Sequence, residues 1–129
     1  MKDSIFADML HHYQAVVAAV HDGRTLTINI DLGFNVWHST HVILQGIEVP
    51  PIQGKTTEDR KLGCAAQEFL IKLVRKRKVF IHVKKRSRIE PYSWLIDMFY
   101  EKETEEEGTY QLIHVNKVMV DRGLATVLE

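Results

Sequence analysis

The sequence predicts a mainly β protein with α-helices, a small Greek-key barrel rather than a parallel α/β sheet. Three features of the chain carry that expectation. Three apolar or alternating runs follow one another within residues 13–47, before any helical pattern begins. One amphipathic stretch comes next, at about residues 58–76, and two further strand-like runs follow it before a short helical ending. A parallel α/β sheet would instead alternate strands with helices from the start.

Residues 1–12 read as an N-terminal extension or short helix, with Ile5, Met9 and Leu10 on one side, and residues 13–129 as a single domain. Tyr13–His21 is a nearly continuous apolar run, the pattern of a buried strand. Asp22-Gly23 is a turn signal, after which Leu26, Ile28 and Ile30 alternate with polar residues at the period of a half-buried strand. Gly33 marks the next bend. A third strand is expected over about Val36–Ile47, with Gly46 as a bulge or a close backbone approach. Pro50-Pro51 ends it, because proline has no N–H to donate. Thr56-x-x-Asp59 resembles a capping box, and Leu62, Ala66, Phe69, Leu70 and Leu73 follow at helical spacing. Val79, Ile81 and Val83 alternate in a fourth strand, and Pro91 precedes a fifth over Tyr92–Tyr100. The run EKETEEEG is expected to be a solvated hairpin tip, with Tyr110–Ile113 returning. Asn116 is the expected N-cap of the last helix, with Val115 and Val120 as a hydrophobic staple and Gly123 at its C′ position.

Composition narrows the function classes. With 129 residues, 45% of them hydrophobic, the chain has one domain's length and material for a core. Its 17 basic and 17 acidic residues cancel in number but not in place. Lys72, Arg75, Lys76, Arg77, Lys78, Lys84, Lys85, Arg86 and Arg88 crowd one window, and Glu101, Glu103, Glu105, Glu106 and Glu107 another. The single cysteine, Cys64, excludes an internal disulfide and fits a reducing compartment as inert packing. The polar start and the lack of a long apolar run point to a soluble, cytoplasmic or otherwise intracellular protein with no membrane partner.

The stretches VVAAVHDGRTLTINI, LQGIEVPP, GCAAQEFLIKL, PYSWLIDMFY and HVNKVMVDRGLATV, in this order, span most of the chain. Together they resemble the staphylococcal-nuclease-like (thermonuclease) family. The resemblance implies a five-stranded Greek-key OB-type barrel with two or three helices. It also implies phosphodiester hydrolysis of DNA and RNA with bound calcium: acidic oxygens hold the ion, a carboxylate orients water, and arginines neutralise the phosphate.

Carried over position by position, that machinery is largely replaced. Arg24 stands where the family has a metal-binding aspartate, and a guanidinium cannot ligate calcium. Glu48 retains the second metal-binding acid on a longer arm, and Val49 replaces a threonine ligand. Pro51 replaces the glutamate that acts as base; Ile43 and Trp94 replace the two phosphate-binding arginines. No catalytic residue, no metal and no cofactor are therefore expected, with calcium lost. Glu48 is the one remaining metal candidate. Glu58, Asp59, Arg86 and Arg88 are the side chains placed to substitute. Loss of one preorganised donor costs about 10²–10³ in rate, and here several are gone together.

Arg24 has two readings: an internal ion pair with Glu48 in the vacated metal pocket, which is favoured, or an anion site for a phosphate or acidic partner. Arg75–Lys78 suit a helix C-terminus. Lys84, Lys85, Arg86 and Arg88, with His82, Tyr92 and Trp94, are the candidates for a single-stranded DNA or RNA surface. Phe34 and Trp37 suit either a stacking surface or a cover for one barrel end. His38 and His41, three apart on a strand, point to opposite faces and so make no metal site. The expected function is a catalytically inactive nuclease-like binding module for nucleic acid. A protein-interaction module or homodimer is the alternative, and residual hydrolysis the third reading.

Overall fold

Alternation along the strands closes into a barrel. The computed structural model describes residues 11–75, 77–86 and 93–128. Residues 1–10 of the expected N-terminal extension or helix, together with Lys76, Arg88, Pro91 and Tyr92, lie outside the described residues; His12, its expected last residue, belongs to the first strand instead. The elements run β1 (His12–Val20), β2 (Thr25–Asp31), β3 (Trp37–Leu44), β4 (Ile47–Glu48), α1 (Thr57–Val74), β5 (Lys78–Arg86), β6 (Trp94–Glu103), β7 (Tyr110–His114), α2 (Val115–Asp121) and β8 (Thr126–Val127). Strands β1, β2, β3, β6 and β5 form a closed five-stranded ring. Every pairing in it is antiparallel except β3 with β6, where Val42, Ile43 and Leu44 run parallel to Trp94, Leu95 and Ile96. This mixed barrel is compatible with an OB-type fold. β7 extends the sheet from β6, and β4 pairs with β8 apart from it.

Inward positions follow the strand period. Ala15, Leu26, Ile28, Val42, Leu44, Val79, Ile81, Ile96 and Met98 are buried, and the residues between them are mostly more exposed. Burying a large aliphatic side chain contributes about 1.5–3 kcal/mol, so this interior supplies the main driving force. Ala66, Leu70 and Val74 of α1 and Val115 and Met119 of α2 complete the core.

The helix ends explain themselves chemically. The Thr56 hydroxyl accepts the Asp59 amide at 3.0 Å, as the capping pattern predicts. At the end of α2, the Gly123 amide bonds the Val120 carbonyl at 3.0 Å and the Leu124 amide bonds that of Met119 at 3.0 Å. This Schellman arrangement needs a left-handed residue, and Gly123 supplies it at φ 74°.

Four local expectations are corrected. Gly46, at φ 82°, turns the chain between β3 and β4 rather than bulging one long strand. β6 continues through Glu103, so the acidic tip begins later than its charge suggests. α2 begins two residues early: His114 occupies the N-cap position, with no side-chain capping bond, and Val115 is the first helical residue rather than half of a staple. Asn116 is buried inside that helix. Its Oδ1 accepts the Met98 amide at 3.0 Å, and its Nδ2 donates to the carbonyls of Gln45 at 2.9 Å and Ile96 at 3.1 Å. A buried amide so fully bonded is a brace between β6 and the β3–β4 turn, not a cap.

The Asp22-Gly23 turn is real, but the glycine is there for a different reason. Asp22 Oδ1 accepts the amides of Arg24 and Thr25, both at 2.8 Å, which sets the bend. A Cβ on Gly23 would stand 2.7 Å from the Ala66 Cβ, so the glycine lets α1 lie directly on the turn.

Two outcomes follow for stability. Gly23→Ala forces α1 off the turn and is expected to lose about 1–3 kcal/mol, measured as a lowered urea midpoint. Asn116→Ala strands the Met98 amide without a partner; a further loss of about 1–3 kcal/mol is expected, and a denaturation midpoint equal to wild type would contradict the brace.

Candidate functional site

The positions that the family resemblance picks out fall in three places: by the β1–β2 turn, in a groove beside α1, and, for Trp94, at the start of β6. Arg24 follows that turn, half-buried, and its backbone carbonyl accepts the Leu44 amide at 2.8 Å. Ile43 pairs with Thr25 across β2–β3, and Trp94 opens β6 beside Val42. Glu48, Val49 and Pro51 line a groove of about 410 Å³ with Leu62 and the Gly123–Thr126 segment.

The expected Arg24–Glu48 ion pair does not form. Arg24 Nη1 donates instead to the Ile47 carbonyl at 3.1 Å, while Glu48 is exposed on β4. An exposed carboxylate is hydrated by water and needs no buried counter-charge, so nothing draws the guanidinium to it. A backbone carbonyl in a half-buried place does need a donor, and Arg24 meets that need.

Calcium does not fit this donor set. It takes six to eight oxygens. The mapped side chains here present a guanidinium, two aliphatic groups, a proline ring, an indole and one carboxylate. Glu58 and Asp59, candidate substitutes, belong to the first turn of α1, where the helix dipole favours acids. Among the described residues, no three His, Cys, Asp or Glu side chains come together as a metal-holding group.

The cationic candidates lie at one end of β5. Lys84 is not a free charge: its Nζ sits 3.3 Å from Asp97, which also meets His114 Nε2 at 3.3 Å. Lys85 is exposed and, among the described residues, joins no ion pair. Between Val83 and Lys85 the β5–β6 register shifts, and beyond the shift the backbone of Arg86 pairs with Trp94. Arg77, at the far end of β5, lies over the Tyr100 ring at 4.4 Å, where β6 runs on to Glu101 and Glu103. Lys84 thus has an acid beside it, and Lys85, among the described residues, does not.

His82 stacks on His12 of β1, ring centroids 4.1 Å apart and planes within 2°. Burial pushes the His82 pKa below its ordinary 6.5; the nearby His12, Lys84 and His11 lower it further, against a raising influence from Asp97. His41, on the other face from His38, bonds the Thr27 hydroxyl at 2.9 Å, and that hydroxyl meets His21 at 2.6 Å.

Sequence reasoning missed the mouth of the barrel. Tyr13, Ile30, Leu32, Val83 and Trp94 line a cleft of about 260 Å³, with His11 and His38 beside them. The missed signal was parity: Tyr13, Val83 and Trp94 continue the inward-facing sets of their strands past the last buried position, and Ile30 is the last buried position of β2. Next to the cleft, the β2–β3 turn projects apolar side chains into solvent. Phe34 is 100% exposed, Trp37 53%, Val36 51% and Leu32 46%. Of the two expectations for Phe34 and Trp37, an exposed surface holds and a cover for the barrel end does not. The Val36 amide bonds the Gly33 carbonyl at 2.9 Å, and the two residues between, Phe34 and Asn35, have φ 55° and 62°. Such primed turns favour glycine, asparagine and aspartate. A phenylalanine there costs about 1–2 kcal/mol.

No protein-family model matches the chain, and a search of curated proteins returns no match. Among the described residues, no helix is long and apolar enough to cross a membrane.

The depressed His82 pKa sets a sign for the dependence of stability on pH. Below 6.5 the unfolded chain takes up a proton that the folded His82 resists, so stability falls as pH drops from 6.5 through the lowered folded value. Urea midpoints measured between pH 7.5 and about 5 are expected to decline less steeply in His82→Gln than in wild type; parallel declines would contradict the burial effect.

Proposed function

We propose that the chain is a staphylococcal-nuclease-like, Greek-key barrel of the OB type that has given up hydrolysis and binds single-stranded DNA or RNA. The supporting observation is the juxtaposition, at one barrel end, of Lys84, Lys85 and the Arg86 backbone with the Trp94 mouth and the exposed Phe34 and Trp37. Single-stranded binders combine a cationic track for the backbone with aromatic platforms for the bases, and both elements occur here within a few residues. The acidic run Glu101–Glu107 lies along β6 and beyond it, away from Trp94, where it does not repel a strand bound at the mouth. Neutral total charge does not oppose this reading, because the field near the site is set by local charges. Arg24, with one guanidinium nitrogen on the Ile47 carbonyl, is not needed for this surface.

A second reading has its own support. Phe80, Phe99 and Leu112 line a groove of about 440 Å³ on the outer face of the sheet. Leu112 is 57% exposed and Tyr110 60%, both on β7 at the sheet edge. Such an apolar face suits a protein partner or a second copy of the chain.

Fluorescence anisotropy of a labelled single-stranded oligonucleotide separates these readings. Binding is expected to weaken steeply between about 50 and 200 mM salt. Lys85→Ala should weaken it across all sequences and flatten the logarithmic salt slope by about 0.7–1. Absence of binding at low salt, together with concentration-dependent dimerisation, would favour the protein-interaction reading. Calcium-dependent cleavage abolished by Glu48→Gln would restore the enzyme reading and overturn the proposal.

A further inference from the structure

The barrel mouth and the tip beside it have a more specific use, which rests on the nucleic-acid reading. We infer that the mouth is a base-binding subsite. One unpaired base of the bound strand enters the cleft against Trp94, Tyr13 and Leu32, and the exposed rings of Phe34 and Trp37 stack its neighbours.

Three observations converge on a base rather than another apolar group. The first is size: about 260 Å³ is below the roughly 300–1,000 Å³ of sites that take drug-sized ligands, and suits a single planar ring system. The second is chemistry. The walls are aromatic and aliphatic, and the titratable groups among the lining residues are two imidazoles and a phenol, His11, His38 and Tyr13, with no carboxylate among the described lining residues. Imidazoles and a phenol hydrogen-bond to base edges, and the lack of a carboxylate removes repulsion toward the phosphates on either side. The third is charge complementarity: Lys85 lies on β5 just beyond Val83, which is itself a cleft wall. A neutral aliphatic peptide would leave Lys85 without a counter-charge and the tip rings without planar partners.

The β2–β3 turn supports the same use. A phenylalanine at φ 55° with its side chain 100% exposed contributes nothing to the core and strains the turn. Glycine or asparagine would serve the fold better. Phe34 is accounted for by what its ring meets outside the protein.

The chain's two tryptophans, Trp37 and Trp94, both border this region, so their fluorescence reports on it directly. The full chain is titrated at low salt with an oligothymidylate, and separately with an abasic strand of equal phosphate number. The base-bearing strand is expected to quench the tryptophans and to bind about 5- to 100-fold more tightly than the abasic one. Trp94→Ala and Phe34→Gly should each remove much of that preference while leaving abasic binding unchanged. Phe34→Gly should also raise the urea midpoint by relieving the turn, so its lost affinity cannot come from unfolding. Leu112→Ala, on the outer face, should change neither affinity. Equal affinity for both strands in the wild type, or a Phe34→Gly variant that keeps the full preference, overturns the base subsite while nucleic-acid binding stands. Failure of both strands to bind overturns the nucleic-acid reading and the subsite together.

Discussion

The structure depends on closing β3 against β6. That seam is parallel and short, with three residue pairs, and parallel pairing is slightly less stable per residue than antiparallel. It is reinforced by a side chain distant in sequence. Asn116 bonds the Gln45 carbonyl on one side of the seam and the Met98 amide and Ile96 carbonyl on the other, while the Gln45 amide bonds the Ile96 carbonyl at 2.8 Å. Each of those backbone groups would be costly to bury without a partner. α2 holds Asn116 in place by burying Val115 and Met119 beside it, and Gly123 then turns the chain so that β8 reaches β4.

The two regions around the barrel are built differently. Near the β1–β2 turn the packing is close: α1 lies on Gly23 with no room for a methyl group, and the Arg24 side chain is spent on a backbone carbonyl. Of the mapped positions around it only Glu48 carries a carboxylate, and the surrounding scaffold is well satisfied. At the mouth, apolar and aromatic side chains stay in water and one turn carries strain. Exposed apolar side chains also occur on the outer face, at Tyr110 and Leu112, but there, among the described residues, no turn residue other than glycine has a positive φ.

The histidines and Asp97 link strand pairing to the cationic strand. Asp97 faces His82 across the β5–β6 pairing, and it also meets Lys84, His114 and, at 3.4 Å, the Asn116 amide nitrogen. One carboxylate thus offsets several donors and cations on the outer sheet face. Among the described residues at this end of β5, Lys85 is an exposed cation that the network does not engage.

The sequence alone determined what depends on neighbours along the chain. A nearly continuous apolar run marked β1, period-two alternation marked β2 and β5, helical spacing with Thr56 marked α1, and Asp22-Gly23 and Gly123 marked two turns, because each signal lies within one element and its caps. What depended on contacts between distant segments was decided by the tertiary structure. The parallel β3–β6 seam leaves no local pattern in either strand. Asn116 in a helix-opening stretch looks like a cap, and only folding brings Gln45, 71 residues away, within its reach. The charges of Arg24 and Lys84 are visible in the sequence, but their partners, the Ile47 carbonyl and Asp97, depend on strand register and on how water competes at each place. The mouth exists only because the ends of five strands meet, and no single stretch of the chain records that meeting.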